Sequence, residues 1–122
     1  MLLDIDKITL EVVRGDTFQL TLPLNAGTRE EFIPYRLNPC DFLYIGIMKP
    51  GQSFEHAEIR CALNFHSAQD AFGNPVFILQ SHETAQLTPG KYYISIKYKH
   101  EGIVQTLVDN KIFYVTGSNP CC

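Results

Sequence analysis

Apolar residues recur at every second position along most of this chain, and where they stop, Gly, Pro, Asn and Asp take over. Ile8, Leu10 and Val12 alternate with Thr9, Glu11 and Val13, the period of a half-buried strand. Arg14-Gly15-Asp16 turns the chain into a second run, in which Phe18, Leu20, Leu22 and Leu24 share a face. Pro23 has no N–H for a ladder, so that strand lies at a sheet edge or breaks there. Residues 25–41 carry Asn25, Gly27, Pro34, Asn38 and Pro39 and read as a long surface connection with one short extended piece around 32–35. Phe42 to Met48 is apolar on both parities, which predicts a strand covered on both faces. Ala57 to Leu63 alternates again, 66–74 is turn-like, and Val76 to Leu79 begins another short strand. Ser81 to Gln86 predicts a single helical turn with Ser81 as its N-cap. Tyr92, Ile94, Ile96 and Tyr98 then alternate with Tyr93, Ser95, Lys97 and Lys99. His100-Glu101-Gly102 turns into a strand from Ile103 to Val108, and Asp109-Asn110 supplies a second tight turn before Ile112 to Thr116.

About eight short strands with frequent turn signals and almost no helical period predict an all-β chain, an antiparallel β-sandwich ahead of a small barrel. One stretch sharpens this. In Leu87-Thr88-Pro89-Gly90-Lys91-Tyr92, Pro89 fixes φ, Gly90 permits positive φ and Leu87 can plug the core, delivering Tyr92 to the start of an apolar strand. That is the form of the tyrosine corner of immunoglobulin-like sandwiches, in which the hydroxyl turns back to the backbone of the preceding crossover. The expected organisation is one domain over 1–116 and a tail over 117–122.

Composition narrows the function classes. The chain has 122 residues, enough for one hydrophobic core, and a formal charge of -3, which gives no basic footprint for nucleic acid. No apolar run approaches the roughly 20 residues of a spanning helix, and acids stand among Met1-Leu2-Leu3-Asp4-Ile5-Asp6 where a signal peptide carries bases. The expectation is a cytosolic product with four free thiols. Cys61 is a strand residue pointing inward, and Cys121 and Cys122 are a terminal pair dispensable for folding.

Candidate chemistry is sparse. His56, His66, His82 and His100 have no metal-ligand spacing, and Gln86 stands where a His-Glu-x-x-His motif begun at His82 needs its second histidine. Glu55, His56 and Glu58 read as a solvated turn, and Arg14-Gly15-Asp16 as a turn rather than an adhesion signal. Tyr44, Tyr93, Tyr98 and Tyr114 are candidates for an aromatic platform, against which stands their use as core. These residues predict no catalytic site, no cofactor and no metal. A carbohydrate- or receptor-binding module is the alternative reading.

The Arg-Gly-Asp-Thr-Phe turn opening a strand, the strand from Asp41 to Met48, the corner Glu83-Thr84-x-x-Leu87-x-Pro89-Gly90-x-Tyr92 and the closing segment from Thr106 to Val115 together resemble small tailed-phage virion proteins. Those proteins carry an immunoglobulin-like sandwich similar to the N-terminal domain of baseplate upper proteins. The resemblance covers about residues 8–116. It implies a non-enzymatic assembly module of a virion (tail, baseplate, neck or capsid-associated), made in the host cytoplasm and docked in multiple copies on other virion proteins. It implies neither nucleic-acid nor membrane binding.

Charge suggests where such a module touches its neighbours. Residues 1–85 hold six Lys or Arg against eleven Asp or Glu, and residues 86–122 hold four against two. Lys97 and Lys99 share an outward face with Tyr93, while the connection 29–41 offers Glu30, Glu31 and Asp41 beside Phe32, Ile33 and Tyr35. These two sets are the candidate halves of a heterologous contact between copies.

Overall fold

The computed structural model describes residues 1–117, and the expectations about Cys121 and Cys122 lie outside the described residues. In chain order the elements are β1 (Leu10–Val13), β2 (Phe18–Thr21), β3 (Asp41–Met48), a 3₁₀ turn (Phe54–His56), β4 (Ile59–Asn64), β5 (Val76–Leu79), α1 (Ser81–Thr84), β6 (Gly90–His100) and β7 (Ile103–Thr116). The protein is mostly β. One sheet has the order β1-β7-β6-β3-β4, and β2 pairs with β5 in a second, smaller one.

Two strand expectations are corrected. First, β1 lies parallel to β7, with Leu10 opposite Phe113 and Val12 opposite Val115, so the large sheet is mixed rather than antiparallel throughout. Four alternating residues carry no signal of strand direction. Second, Asp109-Asn110 does not turn the chain, and β7 is continuous, giving seven strands among the described residues. Ile94 faces Lys111, but Ile96 faces Val108 and Lys97 faces Thr106, so β7 absorbs two extra residues as bulges. At the first of these Asn110 takes φ +53° and its N–H donates to Ser95 Oγ at 3.0 Å. Asn tolerates the left-handed region in a bulge as well as in a turn, which is why the sequence suggested the latter.

Alternation sends one face of each sheet into a single hydrophobic cluster that includes Leu10, Phe18, Leu20, Ile45, Phe77, Ile94 and Phe113. Phe18 of β2 joins the sheets, meeting Phe77 of β5 edge-on at 6.4 Å and Phe113 of β7 at 5.1 Å between ring centroids. β3 is covered on its other face as well. There the Phe54 ring lies on Gly46, where a Cβ would fall 2.8 Å from it, and Met48 is buried alongside.

The start of β6 carries the tyrosine. Tyr92 is buried, and its hydroxyl donates to Thr88 O at 2.7 Å; Leu87 is buried beneath and Gly90 takes φ +153°. Replacing Tyr92 with Phe removes this one bond while keeping the ring. The expected loss in a denaturant melt is about 1 to 1.5 kcal/mol, and a loss within error of zero would mean the bond does not brace the crossover. Just upstream, the N-cap of α1 is Gln80 rather than Ser81, its N–H donating to Glu83 Oε1 at 3.0 Å. The buried Thr84 hydroxyl donates to Asp16 O at 2.7 Å and accepts the Gly15 N–H at 3.1 Å. The Arg14-Gly15-Asp16 turn, with Gly15 at φ +94°, is thereby pinned to the crossover.

Candidate docking surface

Strand register collects three loops at one end of the protein. Asp41 pairs with His100, Phe42 with Asn64, His100 with Ile103 and Thr21 with Val76, so the connections 22–40, 65–75 and 101–102 lie together. Ten large apolar side chains are strongly exposed among the described residues, and six of them are here: Phe32, Ile33, Phe65, Phe72, Ile103 and Val104. The loops of the opposite end, 14–17, 49–58 and 80–89, contribute none. Large contiguous apolar patches are uncommon on the surfaces of monomeric proteins.

The loop 25–34 that shows Phe32 and Ile33 is held by Asn25. Its side-chain oxygen accepts the N–H groups of Gly27 at 2.7 Å and Ile33 at 3.0 Å, and its nitrogen donates to Thr28 O at 2.9 Å. Phe72 stands on a turn built by Asp70, whose Oδ1 accepts the N–H groups of Phe72 and Asn74, each at 2.9 Å. The bond from the Asn74 backbone N–H, which is the largest influence, and those from the Asn74 side chain, Phe72 and Gly73 together outweigh desolvation and hold the Asp70 carboxyl below the usual carboxylate range. Arg36 packs against Gly73 so closely that a Cβ there would fall 2.3 Å from its Nε. Both apolar tips are thus displayed on ordered turns.

Beneath the loops lies a polar cluster that the sequence did not announce. Asp41, read as part of an acidic surface loop, is fully buried. Its Oδ2 accepts the Asn38 N–H at 2.8 Å and the Tyr35 hydroxyl, while Oδ1 accepts the Tyr98 hydroxyl at 3.0 Å and pairs with His100 Nδ1. Burial opposes the charge, but the bonds from Asn38, Tyr35, His100 and Tyr98 prevail and hold the carboxyl below its ordinary value. Burial first, and then the neighbouring carboxylate, push the Tyr35 phenol far up. Tyr98 is raised by the same two causes, partly offset by its bond to Tyr35.

The sequence-predicted contact residues therefore divide. Glu30, Glu31, Phe32 and Ile33 are exposed at the apolar end. Tyr35 is half-buried and committed to the Asp41 cluster, so neither it nor Asp41 is presented on the loop surface as expected; the reason is that each satisfies the other's polar atoms. Tyr93, Lys97 and Lys99 are half-buried on the outer face of the large sheet. There Lys97 Nζ sits 4.6 Å from the centre of the Phe54 ring, and Lys91 Nζ lies 5.4 Å from that of Tyr93. The four tyrosines do not form one platform. Tyr44 stacks on Phe42 at 6.1 Å and Tyr114 pairs across from Lys91, whereas Tyr98 belongs to the Asp41 cluster.

Sequence reasoning missed Phe72, Phe65, Ile103 and Val104. An aromatic residue inside the turn-forming run Asp70-Ala71-Phe72-Gly73-Asn74, with no alternation to carry it inward, was the available signal for the first.

Two of the grooves among the described residues stand out. One, of about 350 Å³, is lined by Leu2, Pro23, Phe32 and Leu107 with Asp4, Asp6 and Arg29; the other, of about 300 Å³, lies between Glu58, Arg60 and Glu83. The shifted groups Tyr35, Asp41 and Tyr98 line neither. Glu58 accepts from Gln52 at 2.8 Å and pairs with Lys49 at 3.5 Å, and these contacts, Gln52 first, lower its pKa against partial desolvation. Cys61 is half-buried against the core, and burial pushes its thiol up. Among the described residues no three His, Cys, Asp or Glu side chains are grouped to hold a metal ion. Among the described residues no helix is long and apolar enough to cross a membrane. No protein-family model matches the chain, and no curated protein matches it.

Proposed function

We propose that this chain is a non-enzymatic assembly module of a phage virion, in the tail, baseplate or neck or associated with the capsid, carried in multiple copies on other virion proteins. The observation that carries the docking role is the concentration at one end of Phe32, Ile33, Phe65 and Phe72 on loops and of Ile103 and Val104 at the start of β7. Such a surface suits a protein that is finished only when a partner covers it. The non-enzymatic reading is supported by the shifted groups Tyr35, Asp41 and Tyr98, which bind one another instead of facing a groove.

The topology supports an immunoglobulin-like sandwich as the scaffold. In the variable type of that fold, strands G, F, C and C′ are neighbours, and B and E lie together in the opposite sheet. β7, β6, β3 and β4 follow the first order, and β2 with β5 the second. Tyr92 then opens the strand corresponding to F, after the E–F crossover. Ile94, fully buried two residues later, stands where antibody domains keep the second cysteine of their disulfide, so apolar packing alone closes this core.

Fractionation of virus particles from cells producing the chain tests this reading. The wild-type protein is expected to sediment with assembled particles in a fixed copy number. Phe32→Ser and Ile103→Ser, both at exposed positions, are expected to lower incorporation severalfold while melting as the wild type does. Recovery of the wild-type protein only as a free soluble species would overturn the proposal.

A further inference from the structure

The most exposed large apolar side chain of the described residues and the groove of about 350 Å³ match in the kind of groups they offer, and both occur on every copy. Phe72 is 80% exposed at a turn whose backbone is fixed by Asp70, so seating it elsewhere costs little ordering of its own loop. Arg36 lies against Gly73 beside it, which makes the projection an aromatic ring with a guanidinium at its flank. Such residues are the commonest anchors of protein interfaces. The groove of about 350 Å³ offers the counterpart: apolar walls from Leu2, Pro23, Phe32 and Leu107, and two carboxylates, Asp4 and Asp6, against the single guanidinium of Arg29.

We propose that Phe72 of one copy seats in this groove on the next copy, with Arg36 facing Asp4 and Asp6. The inference rests on the assembly reading above and names the partner as a second copy of this chain. Projection and groove are different patches, so the contact is heterologous: each copy has one of each, and association continues until a ring closes or a scaffold ends it. A single aromatic anchor with solvent-exposed charge pairs makes a weak contact, so the purified protein associates only at high concentration and a scaffold is needed to hold the copies in register.

Concentration-dependent NMR spectra and sedimentation of the full chain test the contact without particles, so a failure here is separable from a failure of the virion reading. Wild-type protein is expected to show Leu2, Thr106 and Leu107 shifting with concentration, and a mean mass that rises past the dimer. Phe72→Ser should weaken association by about tenfold or more. So should the groove variant Asp4→Lys/Thr106→Arg, altered at exposed positions. Each variant alone stays monomeric, yet their equimolar mixture forms dimers and nothing larger, because it retains one intact projection and one intact groove. A wild type that remains monomeric at millimolar concentration, a mass that stops at the dimer, unchanged association of Phe72→Ser, or a mixture that stays monomeric would each overturn the proposal.

Discussion

Asp41→Ala is expected to lower stability by about 3 to 5 kcal/mol, among the largest losses any single substitution at a polar residue produces here. The side chain is fully buried and gathers the Asn38 N–H, the hydroxyls of Tyr35 and Tyr98 and the His100 ring. Truncation removes the shared acceptor and strands several donors at once, and each buried donor left unpaired costs about 1 to 3 kcal/mol. The cluster also fastens the 25–41 loop to the ends of β3 and β6. Denaturant melts measure the loss, and proteolysis cutting first within 25–41 would locate it. A loss under about 1 kcal/mol would mean that water substitutes for the carboxylate and that the cluster braces nothing.

The same carboxylate sets a pH dependence. Its folded pKa is depressed, so its contribution is present above the unfolded value of about 3.9 and disappears as pH falls through the folded value. Tyr35 acts at the other extreme. Its folded pKa is raised, so its contribution is complete below about 10, the unfolded value, and is lost as pH climbs beyond it. Stability measured against pH is therefore expected to fall on both sides of a broad plateau. Asp41→Asn should flatten the acid limb while retaining the shape of the side chain; an acid limb identical to that of the wild type would assign it to other carboxylates.

What the sequence disclosed follows the range of each interaction. The strands from Phe18, Phe42 and Tyr92 were legible because burial with period two is written into adjacent residues. Tyr92 was legible because its hydrogen-bond partner, Thr88, is four residues away. Asp41 was not: its partners Tyr98 and His100 are 57 and 59 residues distant, and nothing in Asn-Pro-Cys-Asp separates a buried acceptor from a surface acid. Thr84 was hidden in the same way, since its bonds to Gly15 and Asp16 span 69 and 68 residues. Of the docking end, Phe32 and Ile33 stood out as apolar residues in a charged loop. Ile103 and Val104 did not, because alternation places residues on faces of a strand but is silent on whether the strand's beginning overhangs the core.

The packing between the two sheets leads to the second large effect. Phe113→Ala is expected to cost about 3 to 5 kcal/mol, since a fully buried phenyl ring leaves a hole that its neighbours close only in part. The location makes collapse harder than usual. Phe113 pairs with Tyr92 on one side and with Leu10 of the parallel strand β1 on the other, while Phe18 meets its ring edge-on from the small sheet. β2 and β5 are four residues each and pair with nothing else in the large sheet, so they owe their position chiefly to side-chain contacts such as this one. Phe113→Leu refills most of the volume but forfeits the edge-to-face geometry, worth about 0.5 to 1.5 kcal/mol beyond area. Phe18→Leu should lose that increment and its edge-on contact with Phe77 as well, and the double variant Phe18→Leu/Phe113→Leu less than the sum of the two, because both singles break the shared Phe18–Phe113 contact. Denaturant melts of the four proteins form the cycle. Strict additivity would show that the rings are buried independently and that the sheets are held together elsewhere in the core.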